Sequence, residues 1–123
     1  FQELDKGCIL LGIDESIQNI EFTRFEYSSD FTLLCYTDGL TDTANSNDEN
    51  LSIDAVKEII LQNPYIKPSE LNEKIYSYAN YYRDGNSFPD DIALLTLKVG
   101  DLGFWKNQKF EIYMAFGWGF ELF

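Results

Sequence analysis

The chain has 123 residues, 45% of them hydrophobic and 24% charged, which is the composition of one ordinary globular domain. Its 21 acidic and 9 basic residues give a formal net charge of −12, which repels nucleic-acid phosphates and anionic lipid surfaces. No apolar run approaches the length of a membrane span, and the absence of histidine excludes Ser-His-Asp catalysis, Cys-His catalysis and every His-ligated zinc site.

The sequence opens at Phe1 with no charged leader or signal-type apolar stretch, so it is expected to be a piece of a longer protein. Residues 7–11 form a short apolar run suited to a buried strand, ended by Gly12 and the polar Asp14, Glu15 and Ser16. Residues 20–27 mix β-branched and aromatic side chains with charges, as a half-exposed strand does. Ser28, Ser29 and Asp30 then supply a turn, and residues 31–37 read as a buried strand, so these two strands are expected to form a β-hairpin. Cys8 and Cys35 each sit inside an apolar run, which predicts two buried, reduced thiols and a cytoplasmic protein.

Asp38 and Gly39 close the third strand, and residues 43–50, with three asparagines, fit neither helix nor strand and are expected to form a mobile loop. Ser52 is an N-cap for a helix that places Ile53, Val56, Ile59 and Ile60 on one face, stopped at Asn63 and Pro64. Pro68 starts a second helix, in which Leu71, Ile75, Tyr78, Ala79 and Tyr82 recur at helical spacing before Arg83, Asp84, Gly85 and Asn86 end it. Residues 92–99 are a strand entered through Pro89, Asp90 and Asp91. Two consecutive helices between strands predict a layered α+β domain and not alternating βαβ units. The last twenty residues are rich in Phe, Tyr and Trp, and the alternation of Phe110, Ile112 and Met114 allows one more strand; this segment, residues 100–123, is expected to be an extension.

Three aspartates stand where a strand meets a turn: Asp38 after one apolar run, Asp90 and Asp91 before another. If those strands are neighbours, Asp38 and one of the later pair project into one cleft. Carboxylates held close repel one another, and a hard divalent cation such as Mg²⁺ or Mn²⁺ removes that cost. Gly39 either lets the backbone approach such a centre or simply makes the turn. In most proteins each of these short patterns is an ordinary turn. Their order along the chain is the stronger signal.

The segment Tyr36-Thr37-Asp38-Gly39-Leu40-Thr41-Asp42 resembles the YTDG motif of the SpoIIE/RsbU-like branch of the PPM (PP2C-type) serine/threonine phosphatases. Pro89 to Leu95 is similar to the closing Asp-Asp strand of that branch, and Leu4 to Gly12 resembles its upstream strand. The likeness runs in order from about Glu3 to Val99 and implies that residues 1–99 are the C-terminal half of a PPM phosphatase-like α/β/β/α sandwich, an antiparallel sheet with two helices. It also implies two Mn²⁺ or Mg²⁺ ions that activate a water for in-line attack on phosphoserine or phosphothreonine. By position, Asp38 and Asp90 match metal ligands, and Asp91 occupies the neighbouring place. Asp42 is either a group behind the ligands, at a secondary ion, or a solvated surface carboxylate.

The acidic motif that supplies the family's other ligands belongs to the upstream half of the domain, and no such motif is present, so the chain alone is expected to be inactive. The implied substrate is a phosphoprotein of the anti-sigma-factor antagonist type in bacterial partner-switching, under the control of an attached sensor domain. The alternative is a non-catalytic pseudophosphatase module that binds partner proteins. In a third reading, Asp-Gly and Asp-Asp are plain turns and metal has no effect on stability.

Overall fold

The computed structural model describes residues 1–4, 23–27, 30–100, 110–114 and 120–122 of the chain. In chain order these form β1 (Gln2–Leu4), β2 (Thr23–Tyr27), β3 (Phe31–Tyr36), α1 (Asp38–Thr41), α2 (Ile53–Gln62), α3 (Pro68–Tyr82), β4 (Leu94–Val99), β5 (Phe110–Met114) and β6 (Phe120–Leu122). The two apolar runs that flank the candidate aspartates are direct neighbours: β3 pairs antiparallel with β4, from Phe31 opposite Val99 to Tyr36 opposite Leu94. On its other side β3 pairs with β6, which pairs in turn with β1, so one antiparallel sheet runs β1-β6-β3-β4. β2 and β5 form a separate two-stranded antiparallel sheet.

Both long helices form where caps and periodicity place them. Ser52 Oγ accepts from the Asp54 N–H at 3.2 Å, satisfying one of the donors that the first turn leaves open. Asn63 ends α2, and its Nδ2 donates to the Ile59 carbonyl at 2.7 Å. Pro68 opens α3 in the first turn, where its missing N–H costs nothing. Past the C-terminus of α3, Asp84 and Gly85 take positive φ (48° and 89°) and turn the chain away.

The helices bury their apolar stripes on one face of the β3–β4 ladder. Val56 and Ile60 of α2 and Leu71, Ile75 and Ala79 of α3 join Leu34, Leu40 and Leu51 in one buried cluster. Polar ties fix α3 to the strand: Thr96 Oγ1 donates to Asn72 Oδ1, and Asn72 Nδ2 donates to the Leu94 carbonyl at 3.4 Å. The α2–α3 connection is held in the same way, since Lys98 Nζ donates to the carbonyls of Pro64 (3.0 Å) and Ile66 (2.7 Å). The result is a mixed α+β fold, antiparallel sheet with a helical layer, compatible with the C-terminal part of a PPM domain.

Four expectations need correction. Strands 20–27 and 31–37 do not form a hairpin: β3 has β4 and β6 on its two sides, and β2 pairs instead with β5, far along the chain. The last expected strand starts at Leu94, two residues late, and ahead of it Asp91 and Ala93 bond to the Thr37 hydroxyl. Asp38 does not lead into a plain turn but opens the single helical turn α1. Residues 43–50 are a tied loop, with an antiparallel bridge between Ala44 and Asn50 and Asn45 Oδ1 accepting from the N–H groups of Asn47 and Glu49. Bonds from distant residues of the same chain, from Tyr82 to the Asn50 carbonyl and from Asn86 to the carbonyls of Ala44 and Asn45, hold it. The expected strand at 7–11 and Cys8 lie outside the described residues. Of the aromatic tail, β5 and β6 are described, and they pair with strands of this chain. Cys35 is a buried free thiol, and burial pushes its pKa up.

Candidate functional site

The β3–β4 ladder ends at the pair Tyr36–Leu94, and the two candidate segments leave it side by side. One further backbone bond continues the ladder, from Thr37 N–H to the Ala93 carbonyl at 3.2 Å. Beyond it β3 can offer no more backbone partners, because Asp38 starts α1. The Thr37 hydroxyl takes over, donating to the Asp91 carbonyl at 2.8 Å and accepting from the Ala93 N–H at 3.0 Å.

Gly39 completes the joint. It is buried, and a Cβ built on it would lie 2.6 Å from the Asp91 carbonyl oxygen and 3.1 Å from that of Asp90. Any side chain there would push the two segments apart, so glycine is required for close approach and not for its freedom in φ. Behind it, the fully buried Thr43 donates its hydroxyl to the Gly39 carbonyl at 2.8 Å, and the Asp42 N–H donates to the Asp38 carbonyl at 2.7 Å.

The residues before β4 are held from the helix side. Phe88 lies against Tyr76 of α3, with ring centroids 5.8 Å apart, and under the Arg83 guanidinium at 4.9 Å. Such contacts add to the apolar burial of the ring. An open cleft of about 540 Å³ runs past Tyr76, Phe88, Asp90 and Asp91. Asp90 Oδ1 accepts from the Asp91 N–H at 2.7 Å, which orients the carboxylate, and Oδ2 has no hydrogen-bond partner among the described residues.

Asp38, Asp42, Asp90 and Asp91 all have exposed side chains. Of the five predicted positions, the structure joins Gly39 to Asp90 and Asp91 by backbone contact and carries Asp38 into the joint as the neighbour of Gly39. Asp42 leaves at the end of α1, tied to it through its backbone. The side chains offered here are carboxylates, the hard oxygen donors that divalent cations take, and the backbone contact at Gly39 brings the two segments that carry them together. Among the described residues, no three His, Cys, Asp or Glu side chains are grouped to hold a metal. Sequence reasoning missed Thr37. Its signals are its place in the YTDG-like motif and a hydroxyl at the helix N-cap position, and that hydroxyl makes no cap bond.

No curated protein and no solved structure matches the chain. The family model described as Stage II sporulation protein E (SpoIIE) matches residues 1–100. Among the described residues, no helix is long and apolar enough to cross a membrane. Because the match spans most of its 123 residues, the chain belongs to the SpoIIE family, a family of PPM-type, divalent-metal phosphatases that act on phosphoproteins.

Proposed function

We propose that the chain is the C-terminal part of a metal-dependent serine/threonine phosphatase, in which Asp38 and Asp90 are metal ligands and Asp91, Asp42 and Gly39 shape their surroundings. The observation that carries the reading is the joint itself: two aspartate-bearing segments, about fifty residues apart in sequence, meet with no space for a Cβ at Gly39. In this reading the upstream half of the same domain supplies the remaining acidic ligands. Bound Mn²⁺ or Mg²⁺ supplies an activated water and neutralises charge at the phosphoryl group. The chain's own residues hold the ligand carboxylates in place: the Asp91 N–H orients the Asp90 carboxylate, and Thr43 fixes the turn that carries Asp38.

The substrate in this reading is a phosphoserine or phosphothreonine on a cytoplasmic regulatory protein, of the anti-sigma-factor antagonist type found in bacterial partner-switching. The test is phosphate release from a phosphoprotein by the full-length protein, with and without Mn²⁺, together with thermal melts. Asp38→Asn and Asp90→Asn are each expected to slow release on the order of 10²-fold or more and to abolish the Mn²⁺-dependent rise in Tm. A wild-type protein that releases no phosphate and melts identically with and without Mn²⁺ would sink the reading.

A further inference from the structure

Thr37 stands at the N-cap of α1, where a threonine hydroxyl ordinarily accepts from the second or third N–H of the helix. It makes no such bond. Its hydroxyl instead spans to residues 54 and 56 positions away, donating to the Asp91 carbonyl at 2.8 Å and accepting from the Ala93 N–H at 3.0 Å. With the Thr37 N–H to Ala93 carbonyl bond at 3.2 Å, three bonds cross at one residue. The hydroxyl thereby does the work of the backbone that β3 would have offered had it not turned into α1.

Resting on the phosphatase reading above, we infer that Thr37 is a positioning residue: its hydroxyl sets the separation of the Asp38 and Asp90 segments, and so the geometry in which both can reach one divalent cation. Two features give it this role and not a role in stability. The hydroxyl bonds lie at an exposed position, so water can replace them when they are lost and the fold survives. Gly39 sets only the shortest approach of the two segments, because close contact prevents collapse but not separation. The hydroxyl supplies the opposing restraint. Ligands must be held to within about 0.5 Å for a metal site to form, so a joint free to open loses affinity before it loses structure.

The experiment compares Thr37→Val, which keeps the shape and removes the hydroxyl, with Thr37→Ser, which keeps the hydroxyl, in the full-length protein. Calorimetry with Mn²⁺ alone gives the dissociation constant, and melts in chelator give the metal-free Tm. Thr37→Val is expected to weaken Mn²⁺ binding ~10–100-fold, as loss of a group supporting a ligand does, with the metal-free Tm little changed. Thr37→Ser is expected to bind Mn²⁺ as the wild type does. Equal Mn²⁺ affinity in wild type and Thr37→Val overturns the inference, as does a fall in metal-free Tm with unaltered affinity. A wild type that binds no Mn²⁺ removes the phosphatase reading itself, which is a separate result. Amide exchange on the metal-free wild type is the independent measurement if Thr37→Val does not fold. An Ala93 amide protected to the level of the β4 amides supports the staple, and an unprotected one overturns it.

Discussion

The two faces of the β3–β4 ladder differ in composition and in surroundings: the helix-side face mixes Leu34 and Leu94 with Thr32, Tyr36, Thr96 and Lys98, whereas the other, with Phe31, Leu33, Cys35, Leu95, Leu97 and Val99, is wholly apolar. On the helix side Leu34 is wholly buried against the cluster of α2 and α3. On the other side Leu33 and Cys35 are buried, yet their partners across the ladder, Leu97 and Leu95, are 47% and 66% exposed. Alternation along a strand assigns residues to a face, but the layer that covers the face decides how much water is removed. Among the described residues β4 is an edge strand of its sheet, with a strand partner on one side only. The stability of the ladder is therefore expected to reside mainly on its helix side.

The largest effect should come from that side. Leu34→Ala leaves a cavity among Val56, Leu71 and Ile75, whose own packing prevents full collapse, and is expected to cost about 2–5 kcal/mol in urea unfolding. A cost below ~1 kcal/mol would mean that the helix layer is looser than its burial indicates, and the contrast between faces would fail.

Cys35 probes the second face at an intermediate scale. Its thiol pKa is raised by burial, so less thiolate is present at a given pH than on an exposed cysteine. In a Cys8→Ser background, iodoacetamide should react with Cys35 more slowly than with a free cysteine at pH 8, and the lag should shrink on denaturation. The linkage has a definite sign. An elevated folded-state pKa gives a contribution to stability that is complete below the ordinary thiol pKa and lost as pH rises towards the elevated value. Alkylation at the free-thiol rate at pH 8 would show that water reaches this face of β3 and that its burial is transient.

What could be read from the sequence follows from the range of the interactions involved. Ser52 and Pro68 mark helix starts through contacts within a few residues, and both helices form where those residues place them. The runs that became β3 and β4 carry their own hydrophobic signal, and so do the aspartates at their ends. The pairing of β2 with β5 has no local signature, because its partners are separated by most of the chain, and β3, the neighbour in sequence, has strands on both sides already. The loop 43–50 looked mobile because its anchors, Tyr82 and Asn86, lie on and just beyond α3, more than thirty residues downstream. Thr37 was hidden for the same reason. Its neighbours in sequence suggest a helix cap, whereas its bonds go to residues 91 and 93.

The smallest effect should be Leu97→Ala. The side chain is nearly half exposed at a sheet edge, so truncation removes little buried area and opens no closed cavity. A change within about 0.5 kcal/mol is expected in this chain, the range of ordinary surface substitutions. The same substitution in the full-length protein gives the comparison its sharpest form. If the cost there stays within that range, Leu97 faces solvent and the asymmetry of the ladder is intrinsic. If it rises towards the cost of Leu34→Ala, a further layer covers Leu95 and Leu97 and the ladder is a core strand pair between two layers. A large cost in the 123-residue chain itself would contradict both, since no closed packing surrounds Leu97 to be lost.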